Sequence, residues 1–172
     1  MKILLVTAEA TPFAKTGGLA DVATALTRYL AAQGHDVKLL MPFYGRVQRG
    51  KWDFAPHKGL QGMRLAFAGR DIGYSVVTTQ LPKSEAEVLF LRCPELFDRE
   101  AIYTWDRDEH VRFGLLSRAA MEICQWLQWS PDILHCNDWH TGLTPLYLKA
   151  AYAWDRLFER TRTGLTIHNI GY

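Results

Sequence analysis

The stretch of sequence that decides the fold reads Lys15-Thr16-Gly17-Gly18-Leu19-Ala20-Asp21-Val22. An apolar run at residues 3–6 precedes it. The apolar residues that follow recur at helical spacing, namely Leu19, Val22, Ala23, Leu26 and Leu30. This order predicts a strand over 3–7, a glycine loop and a helix over 19–33. A second strand is expected over 37–41, so the chain should begin with a βαβ unit whose two strands are parallel.

The two glycines before this helix predict a binding site for an anion. Gly17 and Gly18 allow the backbone to pass close to a ligand in conformations that are closed to other residues. The start of the helix offers unpaired N–H groups and a positive dipole end, beside the ammonium group of Lys15. The spacing fits neither the dinucleotide fingerprint nor the P-loop. Phosphate is the expected ligand, and a flexible turn beside a solvated lysine is the alternative.

The rest of the chain predicts an α/β fold with a mostly parallel, Rossmann-like sheet. Short strand candidates at 63–67, 74–78 and 88–91 have no crossover helix between them, which indicates an antiparallel excursion or an extension of the sheet edge. A helix is expected over 108–127, with Val111, Leu115, Ala119, Ile123 and Leu127 on its buried face. A strand over 132–136, a helix over 141–157 and a strand over 164–167 should follow. Leu143, Leu146, Tyr147 and Ala150 are the expected apolar face of that second helix.

Polar residues follow two of these strands directly. Asp138 and His140 come after the strand at 132–136, and His168 comes after the strand at 164–167. Because the carboxyl ends of parallel strands meet at one rim of a sheet, we expect these side chains to share a cleft with Lys15.

A metal site is the alternative for the first of these clusters, residues 135–140. His135 and His140 are five residues apart across a change from strand to loop, and strand alternation turns His135 and Cys136 to opposite sides. That geometry does not suit a zinc site, which needs three converging ligands. We therefore predict no metal at this position.

Composition restricts the class of protein further. The 172 residues are 48% hydrophobic and 22% charged, with a formal net charge of +2 and no basic tract, which disfavours a nucleic-acid or membrane-surface partner. Three cysteines without a C-x-x-C spacing fit a reducing compartment. The first residues do not resemble a signal peptide, and we expect no transmembrane helix because no apolar run approaches roughly 20 residues. The expected location is the cytoplasm, or the plastid stroma in a plant.

Three stretches carry a resemblance to the bacterial glycogen synthases and plant starch synthases. The first is the K-x-G-G-L-x-D motif at residues 15–21, which in that family binds the diphosphate of the nucleotide-sugar donor. The others are residues 132–143 and the terminal Thr166-Ile167-His168-Asn169-Ile170-Gly171-Tyr172. Arg112-Phe113 and the A-A-x-E run at 119–122 also fit the family pattern.

The resemblance implies the amino-terminal, acceptor-side half of a two-domain GT-B glycosyltransferase. Residues 1–172 would form that half, and the carboxy-terminal nucleotide-binding domain would be missing from this chain. The intact enzyme would transfer glucose, with retention and without a metal or other cofactor, from ADP-glucose or UDP-glucose to the non-reducing end of an α-1,4-glucan. This chain alone would be inactive. A non-catalytic glucan-binding or nucleotide-binding module, and a GT-B transferase with another acceptor, are the alternatives.

The resemblance also implies roles for individual residues. His168 would lie against the donor glucose and, with Asp138, would form the catalytic pair. Lys15, Gly17 and Gly18 would bind the diphosphate. The remaining substrate-binding candidates are Asp21, Asn137, Trp139, His140 and Asn169. Structural alternatives stay open as well: Asp21 can favour the first helical turn, Asp138 can cap a helix and Trp139 can pack in the core. A lone histidine after a buried strand, such as His168, can also be structural.

Overall fold

The computed structural model describes residues 1–48 and 52–170 of the chain. Gly171 and Tyr172, the end of the third family motif, lie outside the described residues. The elements in chain order are β1 (Lys2–Val6), α1 (Gly18–Ala32), β2 (Asp36–Pro42), α2 (Gly45–Gln48), β3 (Ala55–Pro56), β4 (Met63–Phe67), β5 (Arg70–Gln80), β6 (Glu87–Arg92), α3 (Pro94–Phe97), α4 (Glu109–Leu127), β7 (Ile133–Asn137), α5 (Thr144–Ala150) and β8 (Arg162–Thr166). Two 3₁₀ helices, Trp139–Thr141 and Arg156–Phe158, flank α5.

Within the described residues, five neighbouring strands of the sheet run parallel, in the order β6-β2-β1-β7-β8. β1 and β2 pair in parallel on either side of the α1 crossover, which confirms the predicted βαβ unit. β7 adds to the other side of β1, and β8 adds to β7. The first strand is therefore central, and the chain segments that leave β1, β7 and β8 emerge at the same edge.

The predicted antiparallel excursion is also present. β5 runs antiparallel to β6, and both β3 and β4 pair antiparallel with β5. β6 itself is parallel to β2, so strands take the place of a crossover helix between these two neighbours. The α/β class with a mostly parallel sheet is confirmed.

The core is formed by the central strands and the helices that cover them. Leu4, Leu5, Leu39, Leu40 and Phe90 are completely or almost completely buried, as expected for parallel strands covered on both faces. Full burial of one such side chain contributes about 1.5–3 kcal/mol. In α4, the predicted core positions 111, 115, 119 and 123 are buried, and Leu127 is partly buried.

α1 differs from its predicted pattern at one position. Gly34 has φ +82°, the left-handed conformation expected just after the helix, and Leu19 and Ala23 are buried. Val22, however, is 47% exposed, because the strip it occupies faces the cleft described below rather than the core.

The helix predicted over 141–157 is wrong in its extent and in its buried face. Pro145 lacks a backbone N–H and is tolerated only in a first helical turn, so α5 begins at Thr144 and ends at Ala150. A turn and the second 3₁₀ helix take up the rest of the segment. Leu143 and Leu146 are exposed, whereas Thr144 and Leu148 are buried. Within the described residues, no helix is both long and apolar enough to cross a membrane.

Candidate functional site

A cleft with a volume of about 400 Å³ lies at the carboxyl ends of β1, β7 and β8. Six of the predicted site residues share this cleft, and five further residues complete its lining. The full set is Glu9, Thr16, Gly17, Gly18, Leu19, Val22, Tyr103, Asp138, His140, His168 and Asn169. The glycine loop and the polar residues after β7 and β8 therefore meet at one edge, as the order of strands predicted.

The carboxylate of Glu9 holds the glycine loop in place. This residue was not among the predicted site residues. Glu9 is only 2% exposed. Its Oε2 accepts hydrogen bonds from the backbone N–H groups of Thr16 and Gly17, and its Oε1 accepts from the Thr16 hydroxyl at 2.7 Å and from the Tyr103 hydroxyl. The N–H groups of Thr16 and Gly17 are thus already engaged. The first N–H groups of α1, from Gly18 onward, have no acceptor within the helix and are the donors left for an anion.

Lys15 and Asp21 lie beside the loop but are not among the residues that line the cleft. Lys15 Nζ is 2.6 Å from Asp21 Oδ2, and the Thr11 hydroxyl donates to Asp21 Oδ1 at 3.0 Å. The hydrogen bonds from Lys15 and Thr11 hold the pKa of the Asp21 carboxyl below its usual value. Both side chains are half exposed, so the pair is weak, and Lys15 can reorient toward a stronger anion.

Asp138 occupies an unusual backbone conformation at the end of β7. Its φ of 62° and ψ of −176° fall in a region that is essentially restricted to glycine. The surroundings enforce this conformation: the Asp138 N–H donates to Thr166 O at 2.8 Å, and Asp138 O accepts from the N–H of Thr141 at 3.1 Å. The carboxylate accepts from the Trp139 N–H at 2.9 Å and caps the 3₁₀ helix. Asp138 therefore caps the 3₁₀ helix, as the structural alternative proposed, and also lines the cleft.

His140 is clamped by aromatic rings. Its ring stacks on Trp139 at a centroid distance of 4.0 Å and on Tyr103 at 4.8 Å, and Phe113 meets it edge to face at 4.7 Å. The residue is 2% exposed, and neither ring nitrogen has a hydrogen-bond partner among the described residues. Burial, with a contribution from the nearby Arg112 guanidinium, lowers the pKa of His140 to about 3. A neutral imidazole in the cleft wall can donate one hydrogen bond and accept another.

We expect the His140→Phe variant to lose less stability in acid than the wild-type chain. An unfolded histidine binds a proton near pH 6.5, whereas the folded His140 does so only near pH 3. Between these values the unfolded state binds more protons, so stability falls as the pH falls. From pH 7 to pH 5 this one residue should cost about 2 kcal/mol of unfolding free energy, measured by urea denaturation. Phenylalanine keeps the aromatic packing but binds no proton, so this loss of unfolding free energy should disappear.

The matched control is His110→Phe, because His110 is exposed on α4. It leaves the buried ring of His140 in place and should therefore keep the loss of stability in acid that His140 causes. Identical pH profiles for His140→Phe and the wild-type chain would contradict a buried, neutral His140.

His168 is oriented by a buried asparagine. Asn137 is completely buried, its Nδ2 donates to Val6 O at 3.1 Å, and its Oδ1 lies 3.1 Å from His168 Nε2. Because Oδ1 is an acceptor, His168 Nε2 is the donor in this hydrogen bond. Asn137 is not part of the cleft lining, and it ties the end of β1 to His168. Asn169 is exposed and lines the cleft.

Trp139 is 45% exposed and covers the outside of His140. It lines an almost wholly apolar hollow of about 480 Å³ that adjoins the cleft, together with Leu165, Ile167, Asp138 and Asn169. Its packing is against His140 and Phe113 rather than in the main core.

The structure also separates the aromatic residues of the segment before α4. Phe97 is buried, Trp105 is fully exposed, and Tyr103 is the one that lines the cleft.

Glu9 could have been predicted as a site residue from its position. It follows β1 by three residues, just as the polar residues at 138–140 follow β7.

A second cavity, the possible metal ligands and the cysteines lie outside the cleft or form no site there. A cavity of about 530 Å³ between α5 and β8, lined in part by Leu148, Tyr152, Phe158 and Arg162, contains none of the predicted site residues. Across residues 1–48 and 52–170, no group of three or more His, Cys, Asp or Glu side chains is arranged to hold a metal ion. The cysteines Cys93, Cys124 and Cys136 are buried and unpaired.

The fold and the cleft together define a class of protein. A mostly parallel α/β sheet carries a glycine loop and a helix start at the same edge as Asp138, His140 and His168, which is the edge where open α/β sheets bind their ligands. The chain belongs to the family of starch synthase catalytic domains, whose family model matches residues 2–172.

Individual relatives agree with this family. The chain is 40% identical over 184 residues to glycogen synthase from Aeromonas salmonicida, and 39% identical over 176 residues to that from Geotalea daltonii. It matches the structure of the catalytic domain of starch synthase IV from Arabidopsis thaliana, bound to ADP and acarbose, with a TM-score of 0.88 and 29% identity over 99% of the chain. The match covers 100% of this chain in both glycogen synthases but only 35% and 36% of those proteins, and 34% of the starch synthase chain. The resemblance noted from the three sequence motifs is confirmed.

Proposed function

We propose that this chain forms the acceptor-side half of the active site of a glycogen or starch synthase. In this function, glucose passes from ADP-glucose or UDP-glucose to the non-reducing end of an α-1,4-glucan with retention of configuration. The observation that carries the proposal is the meeting of Gly18, Asp138, His140 and His168 in one cleft. The family membership supports the same reaction class.

The two walls of the cleft suit the two ends of a nucleotide sugar. On one wall, the start of α1 presents N–H groups and a positive dipole end that stabilise the leaving diphosphate as its charge develops. Lys15 can turn from Asp21 to add a cation. On the other wall, Asp138, His140 and His168 offer acceptors and donors for sugar hydroxyl groups.

Asp138 and His168 are the proposed catalytic pair. The carboxylate of Asp138 accepts from sugar hydroxyls and opposes the positive charge that grows at the anomeric carbon. His168, oriented by Asn137, is placed to hydrogen-bond the donor glucose. The reaction needs neither a metal nor another cofactor in this proposal, because diphosphate charge is balanced by helix N–H groups and basic side chains.

The remainder of the active site is proposed to come from a second domain. The relatives are about three times as long as the part matched here. The apolar hollow at Trp139, Leu165 and Ile167 lies next to the cleft and is a surface that further polypeptide can cover. We therefore expect the 172-residue chain alone to have negligible transferase activity. A cytoplasmic or stromal location fits these substrates.

A chimera tests the proposal. This chain would replace the matching third of the Aeromonas salmonicida glycogen synthase, and transfer of radiolabelled glucose from ADP-glucose to glycogen would be measured. The chimera should exceed the isolated chain by at least about a thousandfold, because the isolated chain lacks most of the electrostatic stabilisation of the transition state. Comparable turnover by the isolated chain, or no transfer by a folded chimera, would contradict the proposal.

Calorimetry on the isolated chain separates the alternative functions. Tight binding of ADP-glucose to the 172 residues alone would favour a self-sufficient binding module. Transfer by the chimera to an acceptor other than glucan would favour a different transferase.

A further inference from the structure

Glu9 is a buried carboxylate that lines the cleft, and in the part of the chain that the structure describes no cationic side chain forms a salt bridge with it. Within residues 1–48 and 52–170, the salt bridges involve other acidic residues, and Lys15 pairs with Asp21 instead. Neutral donors alone satisfy Glu9, and they come from Thr16, Gly17 and Tyr103. The two oxygens of Glu9 accept all four of these hydrogen bonds, so the carboxylate is fully engaged by the loop and by Tyr103.

The backbone of Glu9 is itself fixed. The Thr7 hydroxyl donates to Glu9 O at 2.9 Å and accepts from the Glu9 N–H at 3.3 Å. This local turn directly follows β1, the central strand of the sheet. The carboxylate is therefore a rigid point against which the more exposed glycine loop is placed.

Glu9 also connects two separate segments of the cleft wall. Through Thr16 and Gly17 it holds the glycine loop, and through the Tyr103 hydroxyl it holds a residue 94 positions away. The Tyr103 ring in turn stacks on His140, whose two ring nitrogens are unpartnered and buried in the same cleft. The position of Glu9 thus bears on the glycine loop and, through Tyr103, on the part of the wall that contains His140.

We propose that Glu9 is a positioning residue that divides the cleft, an inference that rests on the proposed function. Its carboxylate engages the N–H groups of Thr16 and Gly17 and repels a second anion there. The diphosphate is thereby confined to the free N–H groups at the start of α1, Gly18 and Leu19. The space near Tyr103 and His140 is left for the uncharged sugar.

Three variants of the 172-residue chain separate geometry from charge. Glu9→Gln keeps the geometry, since its carbonyl oxygen accepts from the two N–H groups and its amide donates to the hydroxyls of Thr16 and Tyr103. Glu9→Ala removes both the bonds and the charge. Tyr103→Phe removes one hydrogen bond and keeps the ring. Glu85→Gln, at an exposed position remote from the cleft, is the matched control.

The first measurement is amide hydrogen exchange by NMR without ligand. The Thr16 and Gly17 amides should be protected in the wild type, in Glu9→Gln and in the control, and should exchange at least about tenfold faster in Glu9→Ala. Tyr103→Phe should leave both amides protected, because their acceptor is Oε2. Unchanged protection in Glu9→Ala would overturn the positioning role.

The second measurement is a titration with inorganic pyrophosphate, followed by amide chemical shifts. In the wild type, Gly18 and Leu19 should shift while Thr16 and Gly17 stay in place. Glu9→Gln should bind pyrophosphate about five to ten times more tightly, because the repulsion is gone while the loop is kept. A purely structural role would not produce a gain of affinity.

Two results of this titration would overturn the division of the cleft. One is an equal shift of Gly17 and Gly18 in the wild type, and the other is unchanged or weaker affinity in Glu9→Gln. If pyrophosphate shifts no amide in any variant, the anion site of the proposed function is contradicted as well, whereas the exchange rates still decide whether Glu9 positions the loop.

Discussion

Replacing Arg112 by methionine is expected to lower the unfolding free energy of the chain by about 3–5 kcal/mol. The Arg112 side chain is completely buried near the start of α4. Its Nε donates to Leu96 O at 2.7 Å, its Nη1 lies 2.5 Å from Glu109 Oε2, and its guanidinium lies over the rings of Phe97 and Phe113. Methionine fills much of the space but leaves the Glu109 carboxylate without its cation and Leu96 O without its donor.

Urea denaturation measures this loss of unfolding free energy. A control variant and a double variant test whether the buried charge causes it. Arg107→Met removes an exposed arginine from the same region and should change stability by less than about 0.5 kcal/mol. Combining Arg112→Met with Glu109→Gln should recover part of the loss, since no unpaired charge then remains buried. A loss below about 1 kcal/mol for Arg112→Met would show that Arg112 does not hold α4 against α3 through Leu96 O.

Replacing Asp138 by glycine is expected to make the chain more stable and the chimeric enzyme far less active. The φ of 62° and ψ of −176° cost a residue with a side chain about 1–3 kcal/mol, and glycine avoids that cost. Loss of the cap to Trp139 N–H costs only a few tenths of a kcal/mol when glycine replaces aspartate. The net gain should be about 1 kcal/mol. Transfer to glycogen should fall at least about a hundredfold, because a carboxylate facing the sugar is gone.

Comparison of Asp138→Gly with Asp138→Ala isolates the free-energy cost of the backbone conformation at residue 138. Alanine loses the cap and keeps the strain, so it should be about 2 kcal/mol less stable than Asp138→Gly. Asp155 offers a comparison with an ordinary φ of −88°: it caps the second 3₁₀ helix through Leu157 N–H and also accepts from Gln125 Nε2 at 2.6 Å. Asp155→Gly should be less stable than the wild type. A glycine at 138 that is also destabilising would rule out strain at that position.

Such strain is consistent with a position kept for binding rather than for folding. Natural chains retain an unfavourable backbone conformation where the surroundings enforce it and a function depends on it. Asp138 meets the first condition, because bonds to Thr166 and Thr141 enforce the conformation, and the second is the role that we propose for its carboxylate in the cleft.

The parts of the fold that the sequence predicted well are those with strong local periodicity. β1, α1, β2 and α4 combine buried apolar runs with clear endings such as Gly34, and local pattern and tertiary packing agree there. The prediction was poorer for the segment after β7. Its apolar residues fit one long helix, but Pro145 sets a late start, and Leu143 and Leu146 face outward.

The candidate site was predictable to the extent that strand order fixes it. The meeting of Gly17, Asp138 and His168 follows from the topology of a parallel sheet, and the roles of individual residues stay predictions. The partners within the site do not follow from topology. Nothing local in the sequence indicates that Glu9 would bind the loop, that Tyr103 would reach it from far along the chain, or that Asn137 would orient His168 from a buried position.

The outer edge of β8 has a practical consequence. β8 pairs with β7 on one side, and within the described residues its other side lies at the end of the sheet, next to the exposed side chains of Leu165 and Ile167. Open backbone donors and acceptors beside apolar side chains are a template for intermolecular strand addition. Preparations of the isolated chain should therefore self-associate as concentration rises, and mild detergent or a covering polypeptide should suppress this aggregation.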